Sequence, residues 1–250
     1  MKEIYEPKFV ENLFDKMSGS YAYMNYITSF GFSERWRKQC VEELHIEDKK
    51  VIVDLMTGMG ECWKHVLNKN TINSQLIALD FSSEMIKQAE KNKLKFPHSK
   101  ITILKEDVFH NSIENESADY IISGFGLKTF NAEQLNALAN EIDRLLKPNG
   151  TFSLIDVSVP KNNILKFFYL FYLKNVIPLL GRLFLGSPET YKMLGIYTEA
   201  FGNSNNAFQI FKRDNFEVEY INYFYGCASG IKGKKIKQQL ANSFTKHTIS

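Results

Sequence analysis

The sequence predicts an α/β protein: a doubly wound, mostly parallel sheet with helices on both faces. Three observations predict it. Short apolar, β-branched runs alternate with amphipathic helical stretches up to about residue 158, the pattern of crossover connections rather than of hairpins. The runs are apolar nearly throughout, as strands covered on both faces are. The first of them ends in Gly58-Met59-Gly60, a turn suited to joining a strand to the helix that crosses back over the sheet.

In chain order, Ser33 is placed to cap a helix that continues ERWRKQCVEEL. Val51–Leu55 is the first strand, and Gly60–Leu67 opens the first crossover helix. Gln75–Asp80 is a second strand, after which Ser82 or Ser83 caps MIKQAEKNKLK. Ile101–Leu104 and Ala118–Ser123 are the third and fourth strands. Ala132–Leu146 repeats its apolar residues at helical spacing, and Lys147-Pro148-Asn149-Gly150 makes a turn into a fifth strand, Thr151–Val157. Beyond it the pattern changes to helical, aromatic-rich sequence from Lys161 to Phe201. A helix near Ala207–Arg213 and an alternating stretch, Phe216–Tyr225, follow. The expected organisation is a helical segment or lid over 1–46 and a ligand-binding core over 47–158. A helical insertion over the substrate side (159–204), a last helix and strands (205–230) and a solvated basic tail (231–250) complete it.

A chain of 250 residues that is 44% hydrophobic has material for one sizeable core. A net charge of +3 gives no reason to expect a nucleic-acid partner. Cys40, Cys62 and Cys227 are odd in number and far apart, which argues against a disulfide framework or a zinc site. The histidines have no metal-ligand spacing, and no metal is expected. The amino terminus carries acids and no apolar stretch of signal length. A reducing cytoplasm is the expected compartment, with peripheral contact at the inner face of the membrane left open. That contact is raised by Ile164–Gly186, which is long enough to cross a bilayer but is broken by Lys166, Lys174, Asn175, Pro178 and Arg182. Two readings stand: a soluble helix pair with one apolar face, or a helix that rests on a membrane surface or lines an apolar substrate pocket.

In doubly wound sheets ligands bind beyond the carboxyl ends of the strands, where strand order reverses. Gly58 and Gly60 let a ligand approach the main chain there, and Asp80, ending the next strand, can accept bonds from both ribose hydroxyls. The dinucleotide fingerprint needs a third glycine three residues after the second; Trp63 stands there. Asp54 and Glu61 surround the turn, and acids repel a pyrophosphate while tolerating the ammonium and sulfonium of S-adenosylmethionine. Charge and size therefore favour the methyl donor. The plain alternative is that the glycines shape a turn and Asp80 caps a helix.

These residues and the motifs around them resemble the ubiquinone/menaquinone-biosynthesis C-methyltransferases, a family of class I S-adenosylmethionine-dependent enzymes. The resemblance runs over roughly residues 10–225. Its most specific parts are FVENLFDKMSGSYAYMNYITSFGFSERWRK, the Phe-Gly-Leu of SGFGLKTF, and Pro-Leu-Leu-Gly-Arg in the insertion. It implies a seven-stranded Rossmann-like sheet. It also implies S-adenosylmethionine as cofactor and a ring carbon of a prenylated quinone precursor as acceptor; an amine, a lipid headgroup or a secondary metabolite remains the alternative acceptor. By resemblance, Gly58, Met59 and Gly60 hold the methionine part. Asp80 binds the ribose with Phe81 and Met85 beside the adenine, Asp107 and Val108 meet the adenine edge, and Ser123 and Gly124 lie under the sulfonium. Asp54 belongs to the same corner, and Tyr21 is a lid contact. On the acceptor side stand Tyr26, Phe125, Lys128, Tyr197 and Phe201, with Tyr26, Tyr197, Glu199 and Lys128 all open as the base; no catalytic residue is singled out. The expected partner is a lipophilic small molecule, and a homodimer is left open. The chain differs from the family at Met59 (usually Thr or Ala), at Lys128-Thr129 (usually Arg-Asn), and at Gly226–Lys235, where an apolar strand usually stands.

Overall fold

The computed structural model describes residues 3–19, 21–67, 71, 73–184, 188–213 and 215–236, apart from the side chains of Tyr21, Ala22, Leu183, Phe184 and Pro188. Seven strands form one sheet in the order β3-β2-β1-β4-β5-β7-β6. They are β1 (Val51–Leu55), β2 (Gln75–Asp80), β3 (Lys100–Lys105), β4 (Ala118–Gly124), β5 (Leu146–Val157), β6 (Phe216–Tyr223) and β7 (Ala228–Lys235). The first five pair in parallel, and β7 lies antiparallel between β5 and β6. Strand order reverses between β1 and β4, so the connections leaving their carboxyl ends go to opposite faces of the sheet and leave a crevice.

Helices α1 (Pro7–Met17), α2 (Tyr21–Thr28) and α3 (Phe32–Glu42) precede the sheet. The crossovers carry α4 (Trp63–Leu67), α5 (Ser83–Lys93) and α6 (Ala132–Leu145). Ser82 caps α5 by accepting from the Met85 amide, and Asn131 with Gln134 forms a reciprocal cap on α6. Beyond β5, α7 (Asn163–Phe171) continues through a π-helical turn (Tyr172–Val176) into α8 (Ile177–Phe184); α9 (Pro188–Phe201) and α10 (Asn205–Phe211) follow. Asn163–Arg182 is, among the described residues, the one stretch of helix long and apolar enough to cross a membrane.

Four expectations are corrected. The cap of α3 is Gly31, at φ 77°; Ser33 lies in the first turn, its hydroxyl donating to the Asn25 carbonyl. The first crossover helix begins only at Trp63, because Gly58 and Gly60 are left-handed and the intervening residues form turns. Lys147–Gly150 is no separate turn: it bulges out of β5, which pairs Leu146 with Ala118 and resumes with Thr151 opposite Tyr120. The supposed tail begins as a strand. β7 runs to Lys235, and two of its three lysines are ion-paired, Lys232 with Glu43 at 3.0 Å and Lys235 with Asp143 at 3.4 Å. Glycines stand there because neighbours press in: a Cβ on Gly230 would come within 2.4 Å of the Leu154 carbonyl oxygen. Residues 237–250, the rest of that expected tail, lie outside the described residues.

Candidate active site

Beyond the carboxyl ends of β1, β2 and β4 lies a cleft of about 820 Å³. Its floor is the β1–α4 corner. Gly58 (φ 56°) turns its amide toward Asp80, whose Oδ2 accepts it at 2.8 Å while Oδ1 accepts the Ser82 amide at 2.9 Å. Behind the corner the fully buried Trp63 donates its indole N–H to Asp54 Oδ2 at 3.1 Å and to Thr57 Oγ1 at 2.9 Å. Gly60 (φ 80°) rests on that indole, leaving no room for a side chain. Trp63 is thus the wedge that shapes the corner, in place of a third glycine.

Two residues lining the cleft, Met56 (φ 55°) and Phe125 (φ 74°), hold left-handed backbone at the ends of β1 and β4. Such strain persists where the surroundings enforce it and gathers at functional sites. Tyr5, Pro7, Val10 and Phe14 of the amino-terminal segment close the cleft from above. Among its described lining residues are four carboxylates, Glu61, Asp80, Glu106 and Asp107, and no basic group. That lining suits a cationic nucleoside ligand and opposes a pyrophosphate. Asp54 Oδ1, also buried, has no hydrogen-bond partner among the described residues.

Burial pushes the Asp54 carboxyl up to about 7 and the Asp80 carboxyl up to about 6, despite the donors each accepts. A carboxyl harder to ionise folded than unfolded lends stability below its unfolded value of 3.8 and loses it as pH rises through the folded value of about 7 for Asp54. A cation bound at the corner favours the ionised forms. Affinity for S-adenosylmethionine is therefore expected to rise roughly tenfold between about pH 5.5 and about pH 8, with a shallower rise in Asp54→Asn. Calorimetric titration across that range checks it; an affinity indifferent to pH would count against the two carboxylates ionising as the donor binds.

A second cavity, about 1040 Å³, adjoins the first. Phe125 lines both. The Arg37 guanidinium lies 4.7 Å from the centre of its ring, and Arg37 is itself paired with Glu61 at 2.8 Å. The second cavity is walled by α2, α3, the α7–α8 helix, α9 and the Phe224 corner, mostly with aromatic and aliphatic side chains. Lys128, 3% exposed, reaches it; its ammonium donates to the Phe125 carbonyl at 2.6 Å and to Asp156 Oδ1 at 2.9 Å. Trp36 also lines it, and its indole N–H is buried without a partner among the described residues.

Of the residues expected at the donor site, Gly58, Asp80, Phe81, Met85, Asp107, Val108 and Gly124 line the first cleft. Asp54 and Gly60 shape its corner from behind. Met59 turns its side chain into the cluster with Met17, Met24 and Met85. Ser123 is wholly buried and lines neither cavity. The Tyr21 side chain lies outside the described residues. On the acceptor side, Phe125 and Lys128 line the second cavity, whereas Tyr26, Tyr197 and Phe201 do not. Tyr26 is exposed beside Gly31, and Phe201 packs on the main core. Tyr197 donates its hydroxyl to the Ile4 carbonyl, and burial pushes its phenol up. Glu199 is a half-exposed partner of Lys174. Tyr169 and Tyr172 of the second cavity come from the aromatic stretch between Lys161 and Phe201, read as suited to a large apolar substrate; Trp36 was not expected there, and its only signal is its place in the amino-terminal motif.

The fold and the two adjoining cavities define a class: a Rossmann-like protein with an acidic cleft suited to a cationic nucleoside beside an apolar pocket. The family model of the ubiE/COQ5 methyltransferases matches residues 1–235. The chain belongs to that family and is an S-adenosylmethionine-dependent methyltransferase. Among its relatives, the demethylmenaquinone methyltransferase of Lactiplantibacillus plantarum is 29% identical over 229 residues, 90% of this chain and 95% of that protein. The enzyme of the same name from Staphylococcus haemolyticus is 30% identical over 218 residues, 87% of this chain and 89% of its own. Solved structures share the fold: an Aquifex aeolicus SAM-dependent methyltransferase has a TM-score of 0.53 at 15% identity, over 80% of this chain and 89% of that one. A Haemonchus contortus phosphoethanolamine N-methyltransferase has a TM-score of 0.58 at 13% identity, over 82% of this chain and 53% of that one.

Proposed function

We propose that the chain methylates a ring carbon of a prenylated quinol of the demethylmenaquinone type. The observation that carries the reading is the second cavity: large, apolar, joined to the donor cleft at Phe125, and lined by no carboxylate among its described residues. An amine acceptor would enter as a cation, and Lys128 would oppose it. The relatives named demethylmenaquinone methyltransferase support the same acceptor.

Gly58, Asp80, Phe81, Met85, Asp107 and Val108 would hold the donor, which when bound supplies a methyl group already activated on sulfur. The chain's task is then mainly to align the two reactants and exclude water, a contribution of roughly 7–11 kcal/mol in favourable cases. The nucleophilic carbon sharpens as the neighbouring hydroxyl loses its proton. Lys128, an ammonium held by Asp156, has no lone pair with which to take that proton. It can instead stabilise the phenolate oxygen as charge develops. Trp36 offers a second donor for an acceptor oxygen. The tyrosine hydroxyls at this cavity are committed: Tyr169 donates to the Cys227 carbonyl and Tyr172 to the Thr28 carbonyl. Assay of the full chain with S-adenosylmethionine against a short-prenyl demethylmenaquinol and a panel of amines tests the reading. Methylation of the quinol alone is expected; turnover confined to amines would reject it.

A further inference from the structure

The α7–α8 helix has the wrong side out. The faces it turns to the protein are apolar, with Leu173 and Ile177 buried and Leu165, Tyr169 and Tyr172 walling the acceptor cavity. The face it turns to solvent is apolar too. Ile164, Phe167, Phe168 and Phe171 are 72%, 67%, 63% and 55% exposed, at helical spacing, and Leu179 continues the stripe at 55%. A core helix of this composition would be mostly buried, yet only 17% of its most apolar window is.

Other exposed rings stand at the cavity's mouth. Phe30 and Phe224, which line it, and Tyr225 beside them are 80%, 48% and 80% exposed. All three hold left-handed backbone, with φ of 51°, 39° and 54°. Strained corners that push aromatic rings into water gain little from the fold itself. Charge favours one kind of surface. From Val157 through Pro188 the chain contains no acid, while Lys161, Lys166 and Arg182 are exposed along it.

We propose that this face docks on a lipid bilayer bearing anionic headgroups, with the α7–α8 stripe and the Phe30 and Phe224-Tyr225 corners set into the interface and the acceptor cavity opening toward the lipid. The proposal deepens the reading above and rests on its lipophilic acceptor, which would pass from bilayer to cavity without crossing water. A second copy of the chain fits worse, since a two-fold contact through this face would set its basic residues against one another. The helix lies on the membrane rather than across it. Its cavity face is held by the fold, with the Tyr172 hydroxyl bonded to the Thr28 carbonyl at 2.8 Å.

The test is co-sedimentation of the full chain with vesicles of phosphatidylcholine alone and of phosphatidylcholine with phosphatidylglycerol. Binding is expected to the anionic vesicles and to weaken with salt. The double substitution Phe167→Asp/Phe171→Asp, at exposed positions outside both cavities, is expected to cut partitioning about a hundredfold, with circular dichroism and S-adenosylmethionine affinity unchanged. Wild-type chain that fails to bind anionic vesicles, or a double variant that binds as well as wild type, would overturn the proposal. So would a dimer in solution that the double substitution turns into monomers. No acceptor is needed in this assay. Vesicle binding without quinol turnover would therefore reject the acceptor and leave the surface standing, and the reverse result would reject the surface alone.

Discussion

Gly60→Val is expected to abolish measurable S-adenosylmethionine binding, a loss of about a hundredfold or more, while the chain remains folded. Gly60 sits at φ 80°, where a β-branched residue is strained, and a Cβ placed there would lie 2.5 Å from the Trp63 indole. The indole cannot yield cheaply. It is fully buried and tied through its N–H to Asp54 and Thr57. The main chain must move instead, carrying with it the Gly58 amide that Asp80 holds. Gly202→Ala is the control. Its φ of 65° imposes a similar backbone strain, but nothing lies within 4 Å of the added carbon. It is expected to lower the melting temperature and to leave donor affinity alone. Calorimetric titration with thermal melts monitored by circular dichroism checks both. Normal affinity in Gly60→Val would remove the β1–α4 corner from the donor site.

Lys128→Met is expected to destabilise the fold by about 3–5 kcal/mol, because it strands a buried carboxylate. Asp156 is wholly buried; its remaining partners are the backbone amides of Lys128 and Val157, at 2.8 and 2.7 Å. Removing both charges, in Lys128→Met/Asp156→Leu, is expected to recover part of the loss. Denaturant unfolding measures this. Catalysis separates the further role: in Lys128→Arg, which keeps the pair's charge and is the family's usual residue, quinol turnover is expected to persist. In the double variant turnover is expected to fall steeply with S-adenosylmethionine affinity unchanged. Full turnover in the double variant would show that Lys128 serves the fold alone.

The residues of the candidate donor cleft were legible in sequence because the cleft is local. Gly58, Asp80 and Asp107-Val108 lie at or just beyond the ends of successive strands, with Met85 in the first turn of the helix after β2, and parallel pairing brings such ends together whatever the rest of the chain does. The second cavity was not. Its walls come from α2, α3, the residues after β4, the α7–α8 helix, α9 and the corner after β6. Tyr26, Tyr197 and Phe201 were reasonable aromatic choices that helix rotation turned elsewhere. β7 was hidden for a different reason. Its glycines and lysines read as a solvated tail, and only the pressure of Leu154 on Gly230 and the acids facing Lys232 and Lys235 explain them as strand residues.

By itself the sequence determined the alternation of strand and helix, hence the parallel sheet, and an acid-rich glycine corner suited to a cationic ligand. Both are short-range properties, set by side-chain period and backbone freedom within a few residues. Tertiary structure alone decided which aromatic side chains line the second cavity, which lysine reaches it, and that one helix would show solvent an apolar face. Those depend on how distant segments rotate and pack against one another, which no local pattern encodes.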